Sequence, residues 1–188
     1  MNFVAVKVIN AVGSSIFILL FAVRVTQALH GEIVALLLAF QAGTTAFLLV
    51  FHRSAKGIGS GIHYLIAWTC AWLPLAFKTD GSVWFSIPGL LLALWSLTAL
   101  GRSFSIAPED RGIVVRGPYR FIRHPMYAGE FLSVLGLCLA AGIAWNWFVL
   151  LAFAILLTSR IEAEERVLAG YVLEYASAVP WRLLPGVW

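Results

Sequence analysis

Charged residues and cysteines are both scarce in this sequence. Only 12% of its 188 residues are charged, whereas 61% are hydrophobic, a share well above the roughly 45–50% typical of soluble domains. Mean hydropathy is +0.91. This composition excludes a soluble domain and predicts an integral membrane protein.

Several motifs are missing as well. The two cysteines stand alone in apolar runs, so there is no CxxC pair, zinc-ligand spacing or disulfide framework. No GxGxxG follows a strand, which excludes a soluble dinucleotide-binding fold. There is also no internal repeat, no linker and no A-x-A-like cleavage site behind the first apolar run. We therefore expect a single membrane domain over residues 1–188, without a metal site or a cleaved signal peptide.

The apolar residues fall into runs that predict an all-α, polytopic protein with about six membrane segments. Four runs are each near the ~20 residues that cross a ~30 Å hydrocarbon core; they are 8–23, 33–51, 57–77 and 82–100. The stretch 125–159 suits a helical hairpin, with "AWNW" at 144–147 as a turn carrying interfacial tryptophans. Residues 1–100 thus hold the N-terminal spans, and 101–188 hold a polar loop, the hairpin and a C-terminal helix.

The distribution of lysine and arginine predicts the orientation. With a cytoplasmic N-terminus, six crossings leave Arg24 and Lys78 outside and the other eleven of the thirteen basic residues inside. Both termini and the polar loop are then cytoplasmic, in a plasma or inner membrane. The net charge of +4 reflects this topology and contact with an anionic leaflet. No basic repeat interleaved with stacking aromatics indicates nucleic-acid binding.

The polar loop 101–125, "GRSFSIAPEDRGIVVRGPYRFIRHP", contains prolines and glycines that exclude a continuous helix. Residues 112–115 are predicted to be a short extended segment. Pro125 suits the first turn of the hairpin's first helix. His124 then lies at that helix's N-terminus, where the helix dipole favours an anionic group.

The segment that follows the hairpin predicts a helix from Arg160 to about residue 177, before a proline stops it. At 100° per residue, Glu164 falls within the apolar stripe, Glu165 borders the stripe and Glu162 points away from it. A carboxylate on an apolar stripe is costly without a partner. Glu164 is therefore a candidate for holding a cation, and Arg160 for holding an anion. An i,i+4 salt bridge between these two residues is the alternative.

Two further polar residues lie in or near predicted membrane segments. Glu130 is about one and a half turns into the hairpin, and an intramembrane acid is by default a functional hypothesis. A structural bond from Glu130 to Arg123 or to a tyrosine is the alternative. His63, near the inner end of the third span, is interpreted as an interfacial histidine rather than a ligand.

These motifs together resemble a known family. "GPYRFIRHPMYAG" at 117–129, "R-x-E-x-E-E-x-x-L" at 160–168, then "Y-x-x-x-Y" and "V-P", resemble the isoprenylcysteine carboxyl methyltransferase family. The wider group includes the membrane phospholipid N-methyltransferases. The resemblance covers roughly residues 100–185. It implies that S-adenosylmethionine binds, without a Rossmann domain, in a cytosol-facing pocket formed by the loop, the hairpin start and the C-terminal helix. It also implies a lipid-like or small hydrophobic acceptor that enters from the bilayer.

The same resemblance implies roles for individual residues. Backbone contacts to the cofactor are implied for four loop residues, Arg111, Gly112, Ile113 and Val114. The side chains implied to line the cofactor are Tyr119, His124, Pro125, Met126 and Tyr127. Glu164 is implied to grip the cofactor, and Arg160 to face the acceptor. With Arg123 and Glu130 as further acceptor-side candidates, we expect Arg160, Glu164 and His124 to be the catalytic set.

Alternatives remain open for both the methyl acceptor and the class of reaction. A carboxylate or thiolate acceptor needs no general base, whereas an amine needs His124 or a glutamate to take a proton. An NADPH-dependent sterol-type reductase shares an R-H-x-x-Y element, but the paired glutamates of the C-terminal helix favour a methyltransferase. A non-enzymatic membrane scaffold or small transporter would leave Arg160, Glu164 and His124 unexplained. The sequence does not predict an oligomeric state.

Overall fold

Helices account for most of the chain in the computed structural model, which describes residues 2–78 and 84–188. The described α-helices are α1 (Phe3–Leu29), α2 (Ile33–Val50), α3 (Gly61–Trp72), α4 (Ile87–Leu100), α5 (Pro125–Ala141), α6 (Ala144–Val167) and α7 (Ala169–Ala178). Short 3₁₀ turns occupy Leu73–Ala76, Trp84–Ser86, Gly101–Ser103 and Gly117–Arg120. Two-residue strands, β1 (Gly57–Ile58) and β2 (Glu109–Asp110), pair antiparallel. The prediction of a mostly helical chain is confirmed.

Three of the described helical segments are long and apolar enough to cross a membrane: Phe3–Leu29, Trp84–Ser103 and Ala144–Val167. Three shorter apolar helices cover Val34–Val50, Gly61–Ala76 and Pro125–Ala141. Each apolar run of the sequence is therefore mainly helical, although the run at 57–77 begins with β1 and the run at 82–100 begins at residues outside the described ones. Six crossings and a cytoplasmic orientation stay predictions.

The hairpin turn lies two residues before its predicted place. α5 ends at Gly142, which adopts the left-handed conformation at φ 61°, and Ile143 leads directly into α6. The "AWNW" segment is the first turn of α6 rather than the connection. Asn146 explains why: its buried amide accepts from the Lys78 backbone N–H at 2.9 Å and donates to the Lys78 carbonyl at 2.8 Å. Asn146 thus pairs with both backbone groups of Lys78 from a position within α6, not from a connecting loop.

Two further local predictions concern the polar loop and the C-terminal helix. Residues 112–115 lie outside the strand pair, in which Gly57 and Ile58 are opposite Asp110 and Glu109, and their extended conformation stays a prediction. The helix predicted over 160–177 is broken at Leu168, whose dihedral angles (φ −91°, ψ 8°) end α6 and begin α7. The turn at Leu168 directs the C-terminal residues back alongside the start of α5.

Small residues let α4 and α5 pack backbone to backbone. A Cβ atom on Gly129 would lie 2.5 Å from the Ala93 nitrogen, and one on Gly89 would lie 2.2 Å from the Ser133 nitrogen. Helices in membranes commonly associate through such small-residue contacts. The contact fixes the first turns of α5, which carry several of the predicted site residues, against α4.

Candidate active site

The N-terminus of α5 is joined to the C-terminal segment through the backbone. Arg123 N–H donates to the Trp181 carbonyl at 2.8 Å, and His124 N–H donates to the Arg182 carbonyl at 2.9 Å. The Arg123 guanidinium also donates to the Val179 carbonyl at 3.1 Å. α5 begins at Pro125 with His124 as its N-cap residue, as predicted. The start of α5 and the segment after α7 therefore lie side by side.

Glu165 is the charged centre of this meeting point. Its Oε1 accepts from Arg123 Nε at 3.0 Å and from His124 Nε2 at 3.1 Å, and its Oε2 accepts from an Arg182 terminal nitrogen at 2.7 Å. Because a carboxylate only accepts, His124 carries a proton on Nε2, and in the neutral ring Nδ1 is left as the acceptor. The bond to Glu165 raises the pKa of Arg182. Periodicity had placed Glu165 only at the border of the apolar stripe, so the sequence did not indicate this role.

Tyr127 connects the first turn of α5 to the end of α6. Its hydroxyl donates to Glu164 Oε2 at 2.6 Å. The His124 and Tyr127 rings stack with centroids 5.5 Å apart and planes 8° apart. The Arg160 guanidinium lies 4.5 Å from the Tyr127 ring centroid. The three residues predicted to be catalytic, Arg160, Glu164 and His124, thus all contact Tyr127.

Arg160 and Glu164 do not form the alternative helical salt bridge. Among the ion pairs of the described chain, neither residue takes part. Arg160 is 2% exposed, and its buried Nε has no hydrogen-bond partner in the part of the chain that the structure describes. Glu162 instead pairs with Arg166 on the exposed surface, at 3.2 Å. The predicted outward direction of Glu162 is confirmed.

A small pocket of about 40 Å³ lies between the polar loop, the start of α5 and the end of α6. Five residues predicted to line a cofactor share its wall: Tyr119, His124, Met126, Tyr127 and Glu164. Burial and the nearby Glu164 carboxylate raise the pKa of Tyr119 well above its usual value. Pro125 begins α5 and is fully buried, outside the pocket wall. Arg123, predicted on the acceptor side, lines this small pocket.

Residues 111–114 are not on the pocket wall as the described chain forms it. The Arg111 guanidinium donates through Nε to Glu109 at 3.0 Å, while the Tyr64 hydroxyl donates to the other oxygen of Glu109 at 2.9 Å. Gly112 N–H donates to the Asp110 carboxylate at 3.1 Å. The predicted backbone contacts of Arg111, Gly112, Ile113 and Val114 with a cofactor therefore stay a prediction.

His63 lies in the first turn of α3, and its predicted position at a membrane interface stays a prediction. Its Nδ1 accepts from the Ser60 N–H at 3.4 Å, which satisfies one backbone donor at the start of α3.

A second, larger cavity of about 850 Å³ runs between α1, α2, α4 and α5. Arg160 and Glu130 line one end of it. Glu130 makes no hydrogen bond or ion pair within residues 2–78 and 84–188, so the alternative of a structural bond to Arg123 or a tyrosine is wrong. A volume of this size falls within the ~300–1,000 Å³ of typical ligand pockets.

The segment 103–107 separates the small pocket from the larger cavity. Ser103, Ser105 and Ala107 line the small pocket. Phe104 and Ile106 line the larger cavity. This alternation is the period of an extended backbone. Met126 lines both spaces. The alternating "SFSIA" pattern at 103–107 is the sequence signal for this wall.

Comparison with known proteins agrees with the motifs. Residues 81–171 match the family model described as phospholipid methyltransferase. Among curated proteins, the chain is 29% identical over 110 residues to the cobalt-zinc-cadmium resistance protein CzcN of Cupriavidus metallidurans, covering 58% of this chain and 48% of that protein. It is 29% identical over 103 residues to the uncharacterized protein YpbQ of Bacillus subtilis, covering 50% of this chain and 61% of that protein.

The described residues contain no group of three or more His, Cys, Asp or Glu side chains suited to a metal ion.

Proposed function

We propose that this chain is an S-adenosylmethionine-dependent methyltransferase of the membrane, because residues 81–171 match the phospholipid methyltransferase family model, which belongs to the isoprenylcysteine carboxyl methyltransferase-like group. Its acceptor is a lipid-like or small hydrophobic molecule. The observation that carries the proposal is the position of Tyr127. This side chain contacts Glu164 and His124 at the small polar pocket, and it contacts Arg160 at the end of the larger cavity.

The residues of the small pocket fit the proposed donor. Glu164 accepts one hydrogen bond, from Tyr127, among the described residues, so its other oxygen is available for the donor's ammonium group. The stacked rings of His124 and Tyr127 offer aromatic faces of the kind that attract a sulfonium. At about 40 Å³ the pocket is much smaller than the ~300–1,000 Å³ of typical ligand pockets, so donor binding requires its walls to move apart.

The protein's own residues then align and shield the reaction. Bound S-adenosylmethionine supplies a methyl group on a positively charged sulfur. Glu165 holds His124 and Arg123 in place, and Tyr127 holds Glu164. Holding two reactants in line and excluding water are the main contributions that such a transfer requires.

The acceptor binds in the larger cavity with its reactive group near Arg160 and Glu130. Arg160 neutralises an anionic acceptor, which needs no base. An amine acceptor would release its proton, and Glu130 or the Nδ1 of His124 would receive it. The active site faces the cytoplasm in this proposal.

Calorimetry on the protein purified in detergent tests the donor. S-adenosylmethionine and S-adenosylhomocysteine should both bind with about micromolar affinity, and NADPH should not bind. Binding of NADPH alone would overturn the proposal in favour of a reductase.

A further inference from the structure

The larger cavity carries polar side chains along its length as well as at its ends. Gln41 and Thr45 of α2, Ser133 of α5 and Ser86 before α4 all line it. Thr45 is 6% exposed and Ser133 is 8% exposed. The Ser86 hydroxyl is buried and has no hydrogen-bond partner among the described residues. Within residues 2–78 and 84–188, the side chains of Gln41, Thr45 and Ser133 make no hydrogen bond either.

These four side chains are spread over the depth of the cavity. On α4, the lining extends from Ser86 to Leu97, which at 1.5 Å per residue is about 17 Å. Ser133 lies one helical turn beyond Glu130, away from the reactive end. α2 runs toward the reactive end of the cavity, because the Phe51 carbonyl after its last residue accepts a hydrogen bond from Arg102. Gln41, one helical turn before Thr45, therefore lies farther from the reactive end. A ligand that fills the cavity therefore passes several unpaired polar groups.

A plain hydrocarbon chain is a poor occupant of such a space. It would cover the hydroxyls of Thr45 and Ser133 and the amide of Gln41 without offering a hydrogen bond, and burying an unpaired polar group is unfavourable. A ligand with oxygen atoms at matching depths would satisfy the same groups. Sites that hydrogen-bond a ligand hydroxyl discriminate strongly against the analogue that lacks it.

Building on the proposed methyltransferase function, we propose that the acceptor is an oxygenated amphiphile. It carries hydroxyl or carbonyl groups along an apolar chain or ring system, with the group to be methylated at the Arg160 end. Gln41, Thr45 and Ser133 are the specificity-determining residues, and Arg160 anchors the reactive group.

Ricinoleic acid and oleic acid provide a matched pair of probes, because they share chain length, double bond and carboxylate and differ by one hydroxyl. Calorimetry in detergent should show that the protein binds ricinoleic acid about 10-fold or more tightly than oleic acid. Equal affinities, tighter binding of oleic acid, or no binding of either acid would overturn the proposal.

Variants remove the effect of unequal partition of the two acids into detergent. In a double variant, Gln41→Leu with Thr45→Val, the preference for ricinoleic acid should fall to within about two-fold, because two of the three proposed polar partners are lost. The control is Thr44→Val, since Thr44 is on α2 but not on the cavity wall; it should keep the preference. A preference that survives in the double variant would overturn the assignment to these residues.

Binding of S-adenosylhomocysteine, measured on the same samples, separates this inference from the proposed function. Retained binding in the double variant shows that the fold and donor pocket are intact. If the wild-type protein binds S-adenosylhomocysteine but does not prefer ricinoleic acid, only the acceptor inference fails. If it does not bind S-adenosylhomocysteine, the proposed function fails.

Discussion

The hydroxyl of Tyr127 donates to the carboxylate of Glu164 across 2.6 Å, and this bond joins the first turn of α5 to the last turns of α6. Tyr127 is 4% exposed, so the bond is shielded from water. It leaves Glu164 at the pocket wall with one oxygen unused among the described contacts. A carboxylate held in this way is oriented before any ligand arrives.

Replacing Glu164 tests whether it holds a cation. Loss of a charged partner in a buried site costs about 2–5 kcal/mol, mostly by leaving the opposite charge unpaired. Glu164→Gln should therefore weaken S-adenosylhomocysteine binding by roughly 30-fold or more in calorimetry. Glu162→Ala is the matched control, because Glu162 makes an exposed pair with Arg166, and it should bind normally. Normal binding by Glu164→Gln would contradict the assignment.

Arg160 should act on the acceptor rather than on the donor. It lines the larger cavity and is absent from the wall of the small pocket. We expect Arg160→Ala to keep S-adenosylhomocysteine affinity within a few-fold while methyl transfer falls by at least 100-fold, about 2.7 kcal/mol. Calorimetry and a turnover assay on one preparation separate the two effects. Equal losses in binding and turnover would mean that Arg160 holds the donor.

Glu165 should stabilise the junction between α5 and the C-terminal segment. Its carboxylate accepts from Arg123, His124 and Arg182. Since hydrogen bonds to charged groups contribute about 1.5–3 kcal/mol each, Glu165→Gln should lower the free energy of unfolding measurably. Proteolysis within residues 179–188 should also become faster. Glu162→Gln, which removes only an exposed ion pair worth about 0–1 kcal/mol, provides the comparison; equal effects from both variants would exclude this role.

The close contact of α4 and α5 should not accept a larger residue. The Cβ of a Gly129→Val variant would meet the Ala93 backbone nitrogen at 2.5 Å. Overpacking costs typically about 1–3 kcal/mol, so thermal unfolding in detergent should occur at a lower temperature. Gly61→Ala is the control, because no atom lies within 4 Å of the added Cβ. An unchanged unfolding temperature for Gly129→Val would show that the two helices are not in this contact.

Topology can be tested with reporter fusions. The basic-residue asymmetry predicts that fusions after positions 28, 56, 80 and 188 report outside, inside, outside and inside; position 80 lies outside the described residues. A C-terminus on the outer side would separate the C-terminal segment from the cytoplasm and refute the predicted orientation.

The sequence was a good guide to the positions of helices and a weaker guide to their ends. Hydrophobic runs predict helices because membrane helices must satisfy their own backbone groups. The hairpin turn was misplaced because tryptophans at a membrane interface resemble a turn signal. The turn actually depends on the left-handed conformation of Gly142 and on the bonds from Asn146 to Lys78. The pairing of Asn146 with Lys78 joins residues 68 positions apart, so no local sequence pattern predicts it.

In the candidate site, too, the sequence predicted features that depend on one helix and did not predict those that depend on distant partners. The 3.6-residue period correctly separated the outward Glu162 from Glu164, because that distinction depends on one helix alone. The partners of Glu165 come from the loop before α5 and from the segment after α7. Their convergence requires the break at Leu168, where the sequence predicted a continuous helix. Glu165 was therefore missed.

The extended segment 103–107 forms a partition with two unlike faces. Its serines border the small polar pocket, and Phe104 and Ile106 border the larger cavity. In the proposed reaction, a water-soluble donor and a lipid-like acceptor would therefore reach adjacent chambers by separate routes. Met126, whose unbranched thioether side chain adapts readily to its surroundings, is the side chain that both chambers share. A single extended segment thus divides the space proposed for the donor from the space proposed for the acceptor.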